Sequence, residues 1–209
     1  QDKDIPPGDE AVPGSIQSDK QMEQLYEGLV EEMKKVGVEE SVEITKGEGY
    51  NFISYKDNVF FDGDSPVLRK DGQKILDGFV RATKPKADVI DKIVVMAHTS
   101  QADPDKQNEI IGDRSLAAQR GANTIGYIQR KLGKTIDPAN LSSQEYGQFH
   151  PIATFKTSAG RQKNRRVEIL ILGKGTAQKD LDAYYAEVYG KDAVKASDQD
   201  ASDQKASKK

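Results

Sequence analysis

Cysteine and tryptophan are both absent from this chain of 209 residues. Without cysteine there is no disulfide, no thiolate nucleophile and no zinc–thiolate site, and composition leaves the redox compartment open. Histidine occurs only at His98 and His150, and neither joins a metal-ligand pattern; no acidic loop has calcium spacing. No metal and no other cofactor is therefore expected. Long hydrophobic runs are missing too, since nothing approaches the ~20 apolar residues of a membrane helix. Nor is basic charge in excess: 31 Lys and Arg face 34 Asp and Glu, for a net charge of −3 and a pI near 5.6. That balance excludes nucleic acid as the main partner, which needs a basic stripe. Catalytic signatures are equally lacking. No nucleophile elbow occurs, and Gly133-Lys134-Thr135 is not a phosphate loop, because Ile128 stands where that motif needs glycine. The chain does not read as an enzyme.

What is present is polar and evenly charged, with 31% charged residues, 35% hydrophobic residues and a mean hydropathy of −0.73. Residues 1–20 carry Pro6, Pro7, Pro13, Gly8 and Gly14 and read as a flexible linker. Over 21–37, Met22, Leu25, Tyr26, Leu29, Val30 and Met33 recur at helical spacing and Gly37 ends the run. This amphipathic helix is expected to pack on the domain or on a second copy of itself.

A domain over 40–173 follows. Val42 and Ile44, then Tyr50 to Tyr55, read as two strands joined at Gly47 and Gly49. A turn, Asp62-Gly63-Asp64-Ser65-Pro66, leads into a helix carrying Leu68, Ile75, Leu76, Phe79 and Val80, with Ser65-Pro66 as its expected start. Ile90 to Met96 is apolar almost throughout and reads as a strand buried on both faces. A polar loop over 101–109 precedes a helix from about Asp113 to Leu132, in which Gly121 permits close approach to the sheet. Leu141 to Tyr146 is a short strand, 147–162 a polar loop, and 165–172 the closing strand. Alternating strands and helices predict an α/β sandwich, helices packed on a mixed sheet. A short C-terminal helix within 174–191 and a polar tail over 192–209, expected to be disordered, complete the chain.

The most informative stretch is Asn164-Arg165-Arg166 directly ahead of Val167-Glu168-Ile169. Arginine offers planar, permanently charged donors, so a pair at a strand mouth is either an anion seat or solvated edge charge. Two further motifs accompany it: Ala97-His98-Thr99-Ser100 at a strand end, and Leu116-Ala117-Ala118-Gln119-Arg120-Gly121 on the next helix. Together these resemble the OmpA-like peptidoglycan-binding domain, over about residues 50–172. Its pattern reads Gly-His-Thr-Asp, Leu-Ser-x-x-Arg-Ala and Asn-Arg-Arg-Val-Glu-Ile. Ser100 stands where the pattern has Asp, Ala97 where it has Gly, Ala117 where it has Ser and Gly121 where it has Ala. Phe60-Phe61-Asp62-Gly63-Asp64-Ser65 and Gly160-Arg161 look most like the flagellar motor stator B subunit within that family.

The resemblance implies a β-α-β-α-β fold and a non-catalytic anchor that binds the peptidoglycan stem peptide. It implies that Arg120 takes a ligand carboxylate while the aspartate position, here Ser100, takes the diaminopimelate ammonium. Thr99, Asn164, Arg165 and Arg166 are carried over as binding residues. Asp62 and Asp103, with Asp64 and Asp105, are the acids that could supply the charge that Ser100 lacks, though acids in such turns are more often solvated. His98 is expected to shape the pocket. The same resemblance implies a homodimer, contact with the stator A subunit, and a periplasmic or extracytoplasmic place. A start at Gln1 is expected to mean a processed fragment whose membrane helix was removed; a general cell-wall lipoprotein or outer-membrane protein domain is the alternative.

Overall fold

A computed structural model describes residues 13–190. The expectations for residues 1–12 and for the 192–209 tail lie outside them. Chain order is α1 (Pro13–Lys35), β1 (Val42–Gly47), β2 (Tyr50–Lys56), α2 (Lys70–Thr83), β3 (Ile90–His98), α3 (Ile110–Leu132), β4 (Leu141–Gly147), α4 (Ser158–Asn164), β5 (Arg166–Gly173) and α5 (Leu181–Val188). The five strands form one sheet in the order β1-β2-β5-β3-β4. Only β3 and β4 run parallel; the other neighbours are antiparallel. This is the mixed sheet with packed helices that the sequence predicts.

Alternation along the strands decides which helices cover which face. Ile53 and Tyr55 of β2, Ile93 and Val95 of β3, and Val167, Ile169 and Ile171 of β5 share one core with Met22, Leu25, Leu29, Ile75, Leu76, Phe79, Ile128 and Leu132. The intervening residues Tyr50, Phe52, Val94, Met96, Leu170 and Leu172 form a second core on the opposite face, closed by Tyr184 and Tyr185 of α5. The last helix is therefore a structural layer of the domain. The sheet is sandwiched, which explains the near-continuous apolarity of β3 and β5.

Local chemistry sets the boundaries. Gly49 turns the β1–β2 hairpin at φ +75°, a conformation that L side chains rarely adopt. On α3, a Cβ at Gly121 would stand 3.2 Å from the Ser143 Cβ and 3.6 Å from the Ala97 Cβ. Its missing side chain lets the helix lie close on β3 and β4. Three boundaries differ from the sequence reading. The first helix begins at Pro13, within the expected linker. The second begins at Lys70 and not at Ser65-Pro66, because Asp62 to Ser65 closes a turn of its own. Part of the loop read over 147–162 is helical: Thr157 caps α4 by accepting from the Gly160 N–H at 3.0 Å.

α1 lies against α2. Its buried stripe is fastened at the edges: Glu32 accepts from Arg81 Nε at 2.9 Å, Gln24 from Lys86 at 2.6 Å, and the Met22 carbonyl from Asn51 Nδ2 at 3.1 Å. Of the two packings read for this helix, the described chain adopts the one against its own domain.

Candidate functional site

Three chain segments converge at the end of the sheet where β3 finishes. Strand β3 delivers Thr99 and Ser100 just past His98, α3 runs alongside, and the turn after β2 folds over both. Between them lies a cavity of about 590 Å³ lined by Asp57, Asn58, Phe61, Gly63, Asp64, Thr99, Ser100, Ala102, Asn108, Glu109, Gly112, Asp113, Leu116, Arg120 and Arg165.

Glu109 caps α3, accepting from the backbone N–H groups of Ile111 at 3.0 Å and Gly112 at 2.6 Å. Those bonds hold its carboxyl below the usual range. One turn on, Asp113 is buried. It accepts from the Thr99 hydroxyl at 2.5 Å, from Asn108 Nδ2 at 3.0 Å and from the Gln148 N–H at 3.0 Å. Asn108 Nδ2 also donates to the Ser100 carbonyl at 2.9 Å, tying the strand end to the helix. Ser100 itself is 6% exposed, and its hydroxyl has no hydrogen-bond partner among the described residues. Such a group is rare in a folded interior and costs stability unless something meets it. Asp64 completes the wall in a left-handed conformation, φ +55°, which a short acidic side chain tolerates better than most.

Arg120 is sited where the sequence places it, with its donors turned inward. Its Nε donates to the Ser65 carbonyl, Nη1 to Asp57 Oδ2 and Nη2 to the Asp62 carbonyl, each at 3.0 Å. The guanidinium also stands over the Phe61 ring, 4.9 Å from its centroid. It thus holds the 57–65 turn in place. Arg165 lines both this cavity and a neighbouring groove beside β1, and it has no salt-bridge partner among the described residues.

Four sequence-predicted residues therefore come together here: Thr99, Ser100, Arg120 and Arg165. The other four do not. Asn164 faces the loop before it, its Oδ1 accepting from the N–H groups of Ile152 at 2.8 Å and Ala153 at 2.9 Å. Asp62 contributes only its backbone carbonyl to Arg120; its carboxylate is exposed, 3.5 Å from Arg69. Asp103 caps its own loop, accepting from the Asp105 N–H at 2.7 Å. Arg166 is on the other side of the sheet, because successive β5 residues alternate and Val167 faces the α-helical layer. Arg120 and Arg165 line the cavity and Arg166 does not, so the three arginines carried over as binding residues do not share one site.

Arg166 belongs instead to a buried polar cluster with Glu168, His98, Tyr185 and Tyr189. Glu168 accepts from Arg166 Nε at 2.9 Å, from the Tyr185 hydroxyl at 2.5 Å and from the Tyr189 hydroxyl at 2.6 Å. His98 Nε2 lies 2.5 Å from the same carboxylate. Burial pushes the Glu168 carboxyl up, but Arg166 and His98 more than offset it and hold it below the usual carboxylate range. Burial, with the charge of Arg166, lowers His98 from 6.5 to about 4, and burial also lowers His150. His98 is neutral here and does not enter the cavity.

The pH consequence has a definite sign. Below about 6.5 the unfolded chain protonates at His98 while the folded chain does not. Stability is then lost as pH falls toward 4, by up to ~1.4 kcal/mol per pH unit. Glu168, depressed in the folded state, adds its own loss below the ordinary carboxylate range. Urea midpoints measured from about pH 7 to pH 5 should therefore decline, and His98→Gln should flatten the decline to the share of His150. A midpoint constant over that range would contradict the assignment.

The sequence reading missed Asp57, Asn108, Glu109 and Asp113. Asp113 was findable, since Asp113, Ala117, Arg120 and Thr124 share one helical face at spacings of four, three and four. Asp57 had no such signal, because its role depends on the fold of the turn.

Residues 60–165 match the sequence profile of the OmpA family, just over half of the chain. The chain belongs to the OmpA family. Its resemblance to the OmpA-like peptidoglycan-binding domain therefore holds, and family and fold are those of a binding domain. Among curated relatives, Motility protein B of Bacillus subtilis (strain 168) is 32% identical over 129 residues, covering 60% of this chain and 46% of the relative. Outer membrane protein A of Bordetella avium is 31% identical over 121 residues, covering 58% and 57%. The chain thus spans about half the length of these relatives. A MotB-like protein from Desulfovibrio vulgaris superposes with a TM-score of 0.63 at 19% identity, covering 77% of this chain and 99% of that one; that likeness bears on the fold. Among the described residues, no helix is long and apolar enough to cross a membrane, and no group of three or more histidine or acidic side chains could hold a metal ion.

Proposed function

We propose that this OmpA-family domain is a non-catalytic anchor that binds peptidoglycan, through the cavity at the end of β3. The observation that carries the reading is where the family match falls. Every lining residue of that cavity except Asp57 and Asn58 lies within residues 60–165. The wall also holds a buried serine hydroxyl and a buried carboxylate, with an arginine that has no salt-bridge partner among the described residues.

The finer reading is the periplasmic part of a flagellar stator B subunit, holding an ion-driven stator to the wall as a homodimer beside the stator A subunit. The likeness to Motility protein B favours it. A general cell-wall lipoprotein or outer-membrane protein domain is the second reading, favoured by the likeness to outer membrane protein A.

Co-sedimentation with purified sacculi tests the shared claim. The protein should pellet with sacculi and release no soluble muropeptides. Charge-assisted hydrogen bonds carry ~1.5–3 kcal/mol, so Arg165→Ala should weaken pelleting on the order of tenfold to a hundredfold. Arg120→Ala is a poorer probe, since it also frees the 57–65 turn. A folded Arg165→Ala variant that pellets like the parent would move wall binding away from this cavity.

A further inference from the structure

We propose that the groove beside β1 receives the chain's own C-terminal segment, residues 191–209, whose acidic block competes with the cavity for Arg165. Those residues lie outside the described ones; the groove itself points to them. The competition rests on the proposed wall binding, whereas the docking does not.

The helix α5 covers only part of the second face of the sheet. Its tyrosines close over Tyr50 and Phe52. Further along β2 the same face carries Ser54 and Lys56, with Glu43 of β1 opposite Ser54. There α5 has ended, and a groove of about 600 Å³ opens between β1, β2 and α4. Val188 and Tyr189 line it, and Gly190, at φ +88°, turns the chain out of the helix beside it. Residues 191 onward therefore start at the groove. Asp198 is eight residues past Gly190, a reach of up to about 27 Å when extended.

Charge then selects the occupant. The acids of the groove, Glu39, Glu40 and Glu43, come from β1 and the turn ahead of it. Its cations Lys56, Lys163 and Arg165 come from the end of β2 and from the C-terminal end of α4. None of these six has a salt-bridge partner among the described residues. In 191–209, Asp198, Asp200 and Asp203 form a block with no cation between them. Lys191 and Lys195 precede it, and Val194 is the one large apolar side chain. The block suits the cations, the two lysines suit the glutamates, and Val194 suits the apolar patch of Ile152 and Val188. An anionic wall polymer would meet the same cations but also the three glutamates, which disfavour it. Exposed ion pairs are individually weak. A covalent tether holds the segment at an effective millimolar concentration, so weak pairs suffice. Arg165 lines the groove and the cavity alike. While the acidic block holds its guanidinium, a ligand in the cavity loses that donor.

The test uses the full chain, whose lack of cysteine makes Ser202→Cys the single attachment point for a nitroxide. At low ionic strength the label should bleach the amide signals of Ser54, Lys56 and Lys163. Those signals should return at high ionic strength, where charges are screened. Lys163→Glu, at an exposed position, should restore the signals of Ser54 and Lys56 without added salt. Signals that stay intact in the labelled chain at low ionic strength would overturn the docking. So would bleaching between molecules, seen when spin-labelled protein is mixed with isotope-labelled protein, since the groove would then take a second copy. Asp198→Asn, Asp200→Asn and Asp203→Asn together should raise pelleting with sacculi about threefold, by freeing Arg165. Unchanged pelleting, with bleaching present, would refute the competition for Arg165. If neither protein pellets, the wall-binding reading fails, and the bleaching still decides the docking.

Discussion

Leu29→Asp should destabilise the protein by about 4 kcal/mol or more, whatever its oligomeric state. Leu29 is fully buried with Leu25, and both belong to the main core beside Met22, Met33 and the α2 residues Leu76 and Phe79. The substitution removes a buried isobutyl group and sets a carboxylate in a core of apolar side chains. Taken alone, the stripe on α1 is equally compatible with a coiled pair of helices from two chains. Its contacts with α2 and the Arg81–Glu32 bond at 2.9 Å assign it to this domain. Urea denaturation and sedimentation velocity on the same sample separate the alternatives. A variant with the parent's midpoint but a smaller sedimentation coefficient would mean that α1 packs on a second chain. If a homodimer forms with α1 docked, it must use another surface.

Period and punctuation made most of the sheet and helices legible before any coordinates. Val167, Ile169 and Ile171 alternate, Leu25 and Leu29 stand four apart, and each pattern names its element. What stayed hidden was the direction of polar side chains. Asn164, Arg165 and Arg166 are contiguous in sequence, yet Asn164 faces a loop, Arg165 stands between the cavity and the groove beside β1, and Arg166 is on the far side of the sheet. Adjacent residues at a strand start diverge, so contiguity of charge never meant convergence. Arg120 was correctly sited on its helix. Whether its donors faced a ligand or the chain depended on Asp57, Asp62 and Ser65, more than fifty residues away and outside the strands and α-helices. Ser100 carries the same lesson. Its departure from the family pattern was plain in the sequence, but the buried carboxylate of Asp113 beside it was not.

The buried cluster behind the sheet should show the second large effect. Glu168→Gln preserves volume and removes the only carboxylate among the described residues that meets Arg166, a side chain 2% exposed. The guanidinium keeps the carbonyls of Asn164 at 3.1 Å and His150 at 3.0 Å, but it loses its counter-charge. Breaking one partner of a buried pair costs about 3–5 kcal/mol, because the survivor stays charged and dry. Arg166→Met should cost a comparable amount for the converse reason, leaving Glu168 with His98 and two tyrosine hydroxyls. The double variant should cost clearly less than the sum of the two, since no unpaired charge remains. The readout is again the urea midpoint, taken near neutral pH so that His98 stays neutral in both states. Additive single costs would mean that the ion pair is not coupled, and that the tyrosines of α5 hold this face of the sheet by packing alone. Coupling would instead make α5, through Tyr185 and Tyr189, the cover that keeps Arg166 and Glu168 from water.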